Sequence, residues 1–330
     1  MIRVVVPVAG AGLHLRPHTY TQPKPLIPIA GKPLLAHIID ELLMAGFKDF
    51  VFVLGYLSEK VRNYLLTTYD GRITMDFVYQ EPRLGLAHAI SLTRSYFQEG
   101  ETMLILLGDT LLRTDWTTLV SSPWSRIGIA PVDHPSDFGI AEVAPDGRIL
   151  RLTEKPLIPK SNQALVGLYL IHETQALFSA IDYLFENHIT SHEEYQLTDA
   201  LQHLVEKHIP LYATSVEYWL DCERKETLLE ANRILLERLT PLPTPDYPHT
   251  VIIPPVYIPL SCKLYRSIVG PYVSLGEAVE LQNTIVQDSI IGSHSRVQNM
   301  LLRESVIGGD ASLTGHESSL NLGENTVIEL

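Results

Sequence analysis

Two cysteines in 330 residues, Cys222 and Cys262, supply neither a disulfide framework nor the Cys-x-x-Cys spacing of a zinc site. As small apolar side chains both are expected to be packed thiols. No apolar run approaches the length of a membrane span. The amino terminus, MIRVVVPVAGAG, lacks the separate basic, apolar and small-residue regions of a secretory leader and passes directly into a strand and turn, so a cytoplasmic location without a membrane role is expected. Positive charge is also in short supply, with 25 Lys and Arg against 38 Asp and Glu and a formal net charge of -13. That balance argues against a broad basic surface for nucleic acid. It leaves room for a small anionic ligand, which needs only a few cations, backbone N–H groups and a metal ion.

With 45% hydrophobic and 19% charged residues the composition is that of a globular protein, and its length fits one large α/β domain with a smaller appendage. The first half alternates β-branched runs with amphipathic stretches: Arg3 to Val8, Leu34 to Ala45, Phe50 to Leu54, Ser58 to Thr68, Ile73 to Tyr79, Leu86 to Phe97 and Thr102 to Leu107. This order predicts a mostly parallel, Rossmann-like sheet with helices on its faces. Pro7 lacks an N–H and fits only the carboxyl end of its strand, next to the turn where such sheets bind ligands. A helical pattern is expected from Trp219 until the proline-rich stretch Pro241 to Pro248 halts it. The resulting division is a domain over 1–240, a linker over 241–250 and a tail over 251–330.

In the tail a spacing of sixteen aligns Val269 with Ile285 and Leu301, Leu275 with Ile291 and Ile307, and Leu281 with Val297 and Leu313. All nine are aliphatic. A fixed period of this kind predicts stacked coils of three short strands, a β-helix, over the alternative of an antiparallel sandwich. SIIG (Ser289 to Gly292) and SVIG (Ser305 to Gly308) fall in one register, and SIVG (Ser267 to Gly270) on another face.

The run Gly10-Ala11-Gly12-Leu13-His14-Leu15-Arg16-Pro17 is not a dinucleotide fingerprint. Its third glycine is replaced by Leu15, Pro17 disrupts the helix that would hold a pyrophosphate, and no acidic residue lies at the required distance. Nor is there a P-loop, because Gly31-Lys32 is followed by Pro33. What remains is a glycine loop able to approach phosphates, with Arg16 and Lys24 near it.

PVAGAGLHLRPHTYTQPKPLIPIAGKPL resembles the signature of the sugar-1-phosphate nucleotidyltransferases. Further segments resemble that family in order: YQEPRLGLAHAI, LLGDT, DFGIAEV, LTEKP, ALVGLYL and YWLDCERKETLLEANRILL, carrying the match to about residue 236. The longer members add a left-handed β-helix, which suits the repeats. The resemblance implies an enzyme that joins a nucleoside triphosphate to a sugar 1-phosphate and releases pyrophosphate. By the same resemblance, Ala9, Gly10, Gly12 and Lys24 meet the triphosphate, while Gln80 and Gly85 read the base. Gly139, Glu154, Lys155 and Gly167 hold the sugar phosphate, and Asp109 and Asp221 bind Mg²⁺. It leans towards glucose 1-phosphate with dTTP or UTP; a mannose-1-phosphate guanylyltransferase is an alternative.

The chemistry is consistent with these residue types. Two unit charges about 4 Å apart repel by roughly 4 kcal/mol at an effective dielectric near 20, so joining two phosphates requires fixed cations. The chain departs from the family where an arginine is expected after the glycines and Leu13-His14 stands instead, which puts the charge on His14 or Arg16. A second departure is Glu223, two residues after Asp221, where the family has glycine. These departures motivate an alternative reading as a sugar-nucleotide-binding regulatory subunit. Assembly of the β-helix into a homo-oligomer is also expected, because stacked coils leave faces that need covering.

Overall fold

A computed structural model describes residues 2–240 and 246–316. Residues 241–245 of the proline-rich stretch and the last fourteen residues lie outside the described part.

In chain order the first part runs β1 (Ile2–Val8), β2 (Pro28–Ile29), β3 (Lys32–Pro33), α1 (Leu34–Met44), β4 (Asp49–Leu54), α2 (Ser58–Tyr69), β5 (Thr74–Tyr79), α3 (Leu86–Ser91) and β6 (Thr102–Leu106). Then follow β7 (Thr110–Arg113), α4 (Trp116–Val120), β8 (Ser125–Pro131), β9 (Ile140–Val143), β10 (Ile149–Thr153) and β11 (Gln163–Ile171). The part closes with α5 (Thr174–Glu186), α6 (Leu197–Glu206), β12 (Leu211–Ser215), β13 (Tyr218–Asp221) and α7 (Lys225–Arg238). By packing, residues 1–27 and 32–228 form one unit, and Pro28–Gly31 with Leu229 onward form a second.

The first unit is built on a nine-stranded sheet with the order β10-β9-β11-β6-β1-β4-β5, with β8 paired to β11 and β12 to β8. The expected parallel arrangement holds for β6, β1, β4 and β5. From β8 onward the sheet is mixed, because β11 runs antiparallel to β6, β8 and β9. Strand β1 lies between two parallel neighbours, and its Val4, Val5 and Val6 are fully buried, as a β-branched run with no polar alternation requires. Helices α5 and α6 bury Leu177, Phe178, Ile181 and Leu184, and Leu197, Leu201 and Leu204, at the three-to-four-residue spacing of an amphipathic face.

Pro7 sits in the last turn of β1 beside Val53, and its carbonyl accepts from Gly108 N at 3.2 Å. Just beyond, Ala9 O accepts from Tyr56 N at 3.0 Å. The carboxyl ends of β1, β4 and β6 are thus joined at the edge where open α/β sheets place their ligands.

Trp219 is not helical. Tyr218–Asp221 is a strand paired antiparallel with β7, and the helix starts at Lys225. Leu111 and Leu112 on β7 give the YWL stretch an apolar partner, and tertiary pairing overrides the local pattern.

In the second unit three parallel four-stranded sheets form the faces of the left-handed β-helix. The rows Leu275-Ile291-Ile307 and Leu281-Val297-Leu313 stack as expected. The third row is corrected: Val269 stacks on Val286 and Leu302. Ile285 and Leu301 point outward, 44% and 73% exposed. The cause is one extra residue. The corner Gly270-Pro271-Tyr272 has three residues where Gln287-Asp288 has two, so Ile268 pairs with Ile285 seventeen residues on, and Val273 with Ser289 only sixteen on. SIIG and SVIG share a face and SIVG lies on another, as read from the sequence.

Candidate active site

Lys24 is 6% exposed, and its Nζ donates to Asp109 Oδ2 at 2.7 Å. Burial alone would lower its pKa, but the Asp109 carboxylate and, further off, Asp221 and Glu223 outweigh that and raise it, so the ammonium is held charged. Gly12 explains how the loop reaches it. Its φ of 60° is left-handed, and a Cβ there would lie 2.9 Å from the Lys24 Cβ, so only glycine allows the loop to close on this side chain. Thr19 Oγ1 donates to Gly12 O at 2.8 Å and fixes that turn. Ala9 is buried, while Gly10 is exposed with open space above it, which leaves its backbone accessible.

Asp109 follows β6, and Asp221 ends β13. Thr110 pairs with Asp221, and Cys222 N donates to Asp109 O at 3.2 Å, so the β7–β13 ribbon brings the two acids to one end. Burial, then the charge of Asp109, pushes Asp221 up to about 7, with Glu223 adding to the rise and Lys24 and Arg224 opposing it. Among the described residues no cluster of three or more His, Cys, Asp or Glu forms a closed metal cage. Two carboxylates close enough for the charge of one to act on the other fit an ion such as Mg²⁺, which takes one or two carboxylates and completes its shell with water and phosphate oxygens.

His14, 61% exposed at its side chain, approaches Glu223, with Nε2 at 3.8 Å from Oε1. The two departures from the family pattern therefore face each other on the rim. The Arg16 guanidinium lies 4.8 Å from the centroid of the Tyr20 ring, a cation–π contact at the exposed surface.

A second group of residues forms around Glu154. Thr198 Oγ1 donates to Glu154 Oε2 at 2.6 Å. Burial raises the Glu154 carboxyl, against the opposing hydrogen bond from Thr198 and the charge of Lys155. Gly139 lies against both: a Cβ would sit 2.9 Å from Glu154 Oε2 and 3.0 Å from Thr198 Oγ1. Lys155 is exposed, and its N–H donates to Phe138 O at 3.1 Å. Gly167 O accepts from Leu107 N at 3.1 Å, and a Cβ at Gly167 would meet Thr110 Oγ1 at 3.0 Å, which places it against the corner that carries Asp109.

The third group surrounds Gln80, 5% exposed. Its Nε2 donates to Gly85 O at 2.9 Å and to His88 Nδ1 at 3.2 Å. Burial lowers the His88 pKa, which favours the neutral ring that accepts there. Both bonds engage the amide nitrogen of Gln80. Gly85 sits directly against the Tyr195 backbone.

Thr198, His88 and Trp219 are not among the site residues read from the sequence. A lone Thr or His carries no signal until the fold brings it to Glu154 or Gln80. Trp219 stacks edge-on against Phe138 at 5.1 Å, and its buried indole N–H has no hydrogen-bond partner. It stands two residues before Asp221.

A buried lysine on a carboxylate adds nothing to an apolar core. At the carboxyl edge of an α/β sheet, beside a glycine turn and a second acid, it is a preorganised cation where open sheets of this kind place their ligands. The chain belongs to the nucleotidyl transferase family, whose model matches residues 3–238. It is 34% identical over 235 residues to a low-salt glycan biosynthesis nucleotidyltransferase of Haloferax volcanii, across 69% of this chain and 64% of that protein. It is 30% identical over 338 residues to a glucose-1-phosphate thymidylyltransferase of Streptomyces antibioticus, across 99% of this chain and 88% of that one. A solved UDP-glucose pyrophosphorylase complexed with UDP-glucose shares the fold, with a TM-score of 0.62 and 24% identity over 72% of this chain and all of that one. Among the described residues no helix is long and apolar enough to cross a membrane.

Proposed function

We propose that the protein transfers a nucleotidyl group from a nucleoside triphosphate to a sugar 1-phosphate, with glucose 1-phosphate and dTTP or UTP as the favoured pair. The observation that carries this reading is the Lys24–Asp109 pair at 2.7 Å, closed over by Gly12 and faced by Asp221. In the reaction a phosphate oxygen of the sugar phosphate attacks the α-phosphorus in line, the bond to the β-phosphate oxygen breaks, and pyrophosphate leaves with that electron pair. Lys24 and the Ala9–Gly12 backbone bind and orient the triphosphate, Lys155 orients the attacking phosphate, and Glu154 with Gly139 and Gly167 receives the sugar. Asp109 and Asp221 would hold Mg²⁺, which supplies charge neutralisation for the phosphates. The Gln80 carbonyl suits the imide N–H of thymine or uracil, and it would equally accept from guanine. The Streptomyces antibioticus relative, matched over nearly all of this chain, supports the thymidylyl and glucose assignment.

The test is pyrophosphate release from purified protein with Mg²⁺, each common nucleoside triphosphate and a panel of hexose 1-phosphates. Release with one pair names both substrates. Silence throughout, with triphosphate binding still visible by thermal shift, favours the regulatory reading that Leu13-His14 motivates. Under the enzyme reading His14→Arg is expected to raise kcat about tenfold, since arginine is always charged and histidine is not. Steady-state kinetics check this, and a loss of activity would give the imidazole a role of its own.

Homo-oligomerisation through the β-helix is part of the same proposal. Val251, Ile268, Ile285 and Leu301 form one outward ladder, and three of them are 55%, 44% and 73% exposed in that order, with Ile268 half-buried. Monomeric surfaces rarely carry such a contiguous apolar strip. The double variant Ile285→Lys, Leu301→Lys is expected to fall to monomer mass by light scattering with triphosphate affinity unchanged; an unaltered mass rules this face out.

A further inference from the structure

Asn232 is fully buried in the middle of α7, where a polar amide is unfavourable unless every group finds a partner. Its Oδ1 accepts from Ala30 N at 2.9 Å and from Ser274 Oγ at 2.6 Å, and its Nδ2 donates to Tyr272 O at 3.3 Å. One side chain therefore joins three stretches of the second unit: the segment Pro28–Gly31, helix α7 and a β-helix coil. That segment is unusual in that its sequence neighbours on both sides, through Ile27 and from Lys32, pack in the first unit. It is also held without slack. Ile29 is fully buried, Ala30 is 3% exposed with a left-handed φ of 45°, and a Cβ at Gly31 would overlap the Tyr257 ring.

Six residues before Ala30 stands Lys24. The backbone between them is short and stiff: a tight turn over Lys24–Leu26 with prolines at 23, 25 and 28, whose end is pinned by Leu34 N donating to Ile27 O at 3.0 Å. A shift of the anchored segment that the Ile27–Leu34 bond does not absorb is carried over these few residues to the lysine. Displacement of a substrate-positioning group by about 1 Å costs on the order of a hundredfold. We infer that Asn232 is a positioning residue for the triphosphate, anchoring the Pro28–Gly31 segment so that Lys24 meets its ligand. This inference rests on the reading of Lys24 given above.

The test uses the full chain and the nucleoside triphosphate identified by pyrophosphate release. Asn232→Leu is expected to raise the triphosphate Kd about tenfold and to change the KM for the sugar phosphate by less than twofold. Ser274→Ala, which removes one of the three bonds and keeps the helix intact, is expected to give about a threefold rise in the same direction and serves if Asn232→Leu does not fold. In a Lys24→Met background the Asn232 or Ser274 change is expected to add less than twofold, because the group it positions is gone. Triphosphate affinity within twofold of the unmodified protein for every folded variant, equal losses for both substrates, or losses that add in the Lys24→Met background would overturn the inference. If the unmodified protein neither binds nor turns over any triphosphate, it is the parent reading of Lys24 that falls.

Discussion

Replacement of Lys24 by methionine is expected to lower kcat/KM for nucleotidyl transfer by about a thousandfold, the scale seen when a preorganised charge-stabilising group is removed from an active site. Methionine matches the lysine stem in shape and fits the buried slot without a cavity, so the loss reports the charge. The Lys24 side chain is 8% exposed and its ammonium is kept protonated by Asp109, which makes it a fixed, largely desolvated cation. Lys24→Arg is not expected to restore the rate. Its wider planar fork cannot occupy a slot in which the Gly12 backbone already lies against the lysine stem. Steady-state kinetics with circular dichroism separate chemistry from folding, and a loss below tenfold in folded Lys24→Met protein would remove the lysine from the mechanism.

The second large effect has opposite signs in activity and stability. Asp221→Asn is expected to reduce kcat by about two to three orders of magnitude, because a carboxylate ligand for the ion and a fixed charge are lost together. In metal-free protein the same change is expected to raise the Tm at pH 8. The folded-state pKa of Asp221 is about 7, above the usual carboxylate range. Between the unfolded value near 4 and about 7 the folded chain binds the proton more tightly, so stability falls as pH rises through that window. Above it the full cost of an ionised, buried carboxylate beside Asp109 is present. An amide does not ionise, so the gain in Tm should be largest above pH 7 and vanish below about pH 4. Thermal melts across that range in the presence of a chelator check the sign; a lower Tm at pH 8 would show that the charge is stabilising instead.

Much of this arrangement was legible in the sequence because local signals agreed with the final packing. The buried valines of β1 read as a central strand, and the glycine loop followed them as the sheet edge demands. Asp109 and Asp221 are paired in the sequence only by the family resemblance, since 112 positions separate them and the β7–β13 ribbon brings them together. Trp219 misled because a strand that borrows its apolar partner from Leu111 and Leu112 carries no period of its own. Ile285 and Leu301 misled for a different reason. A fixed period of sixteen assumes equal corners, and one added residue after Val269 shifts that row by one, so the inward partners of Val269 are Val286 and Leu302 while Ile285 and Leu301 face outward. Thr198, His88 and Asn232 were beyond reach, because their importance lies in partners 44, 8 and 202 positions away and in no local pattern.

The unequal corners of the β-helix carry one more consequence. The added residue at Gly270-Pro271-Tyr272 is taken up in a bend while the strands on either side keep their pairing. Length changes can therefore be confined to corners, and the strands form a modular rod whose reach is set by the number of repeats. Copying one sixteen-residue turn such as Glu280 to Ser295 would lengthen that rod by about 4.8 Å, one strand spacing, without asking any existing rung to move. The tail is in this sense a ruler, and insertions at its bends cost less than insertions anywhere along its faces.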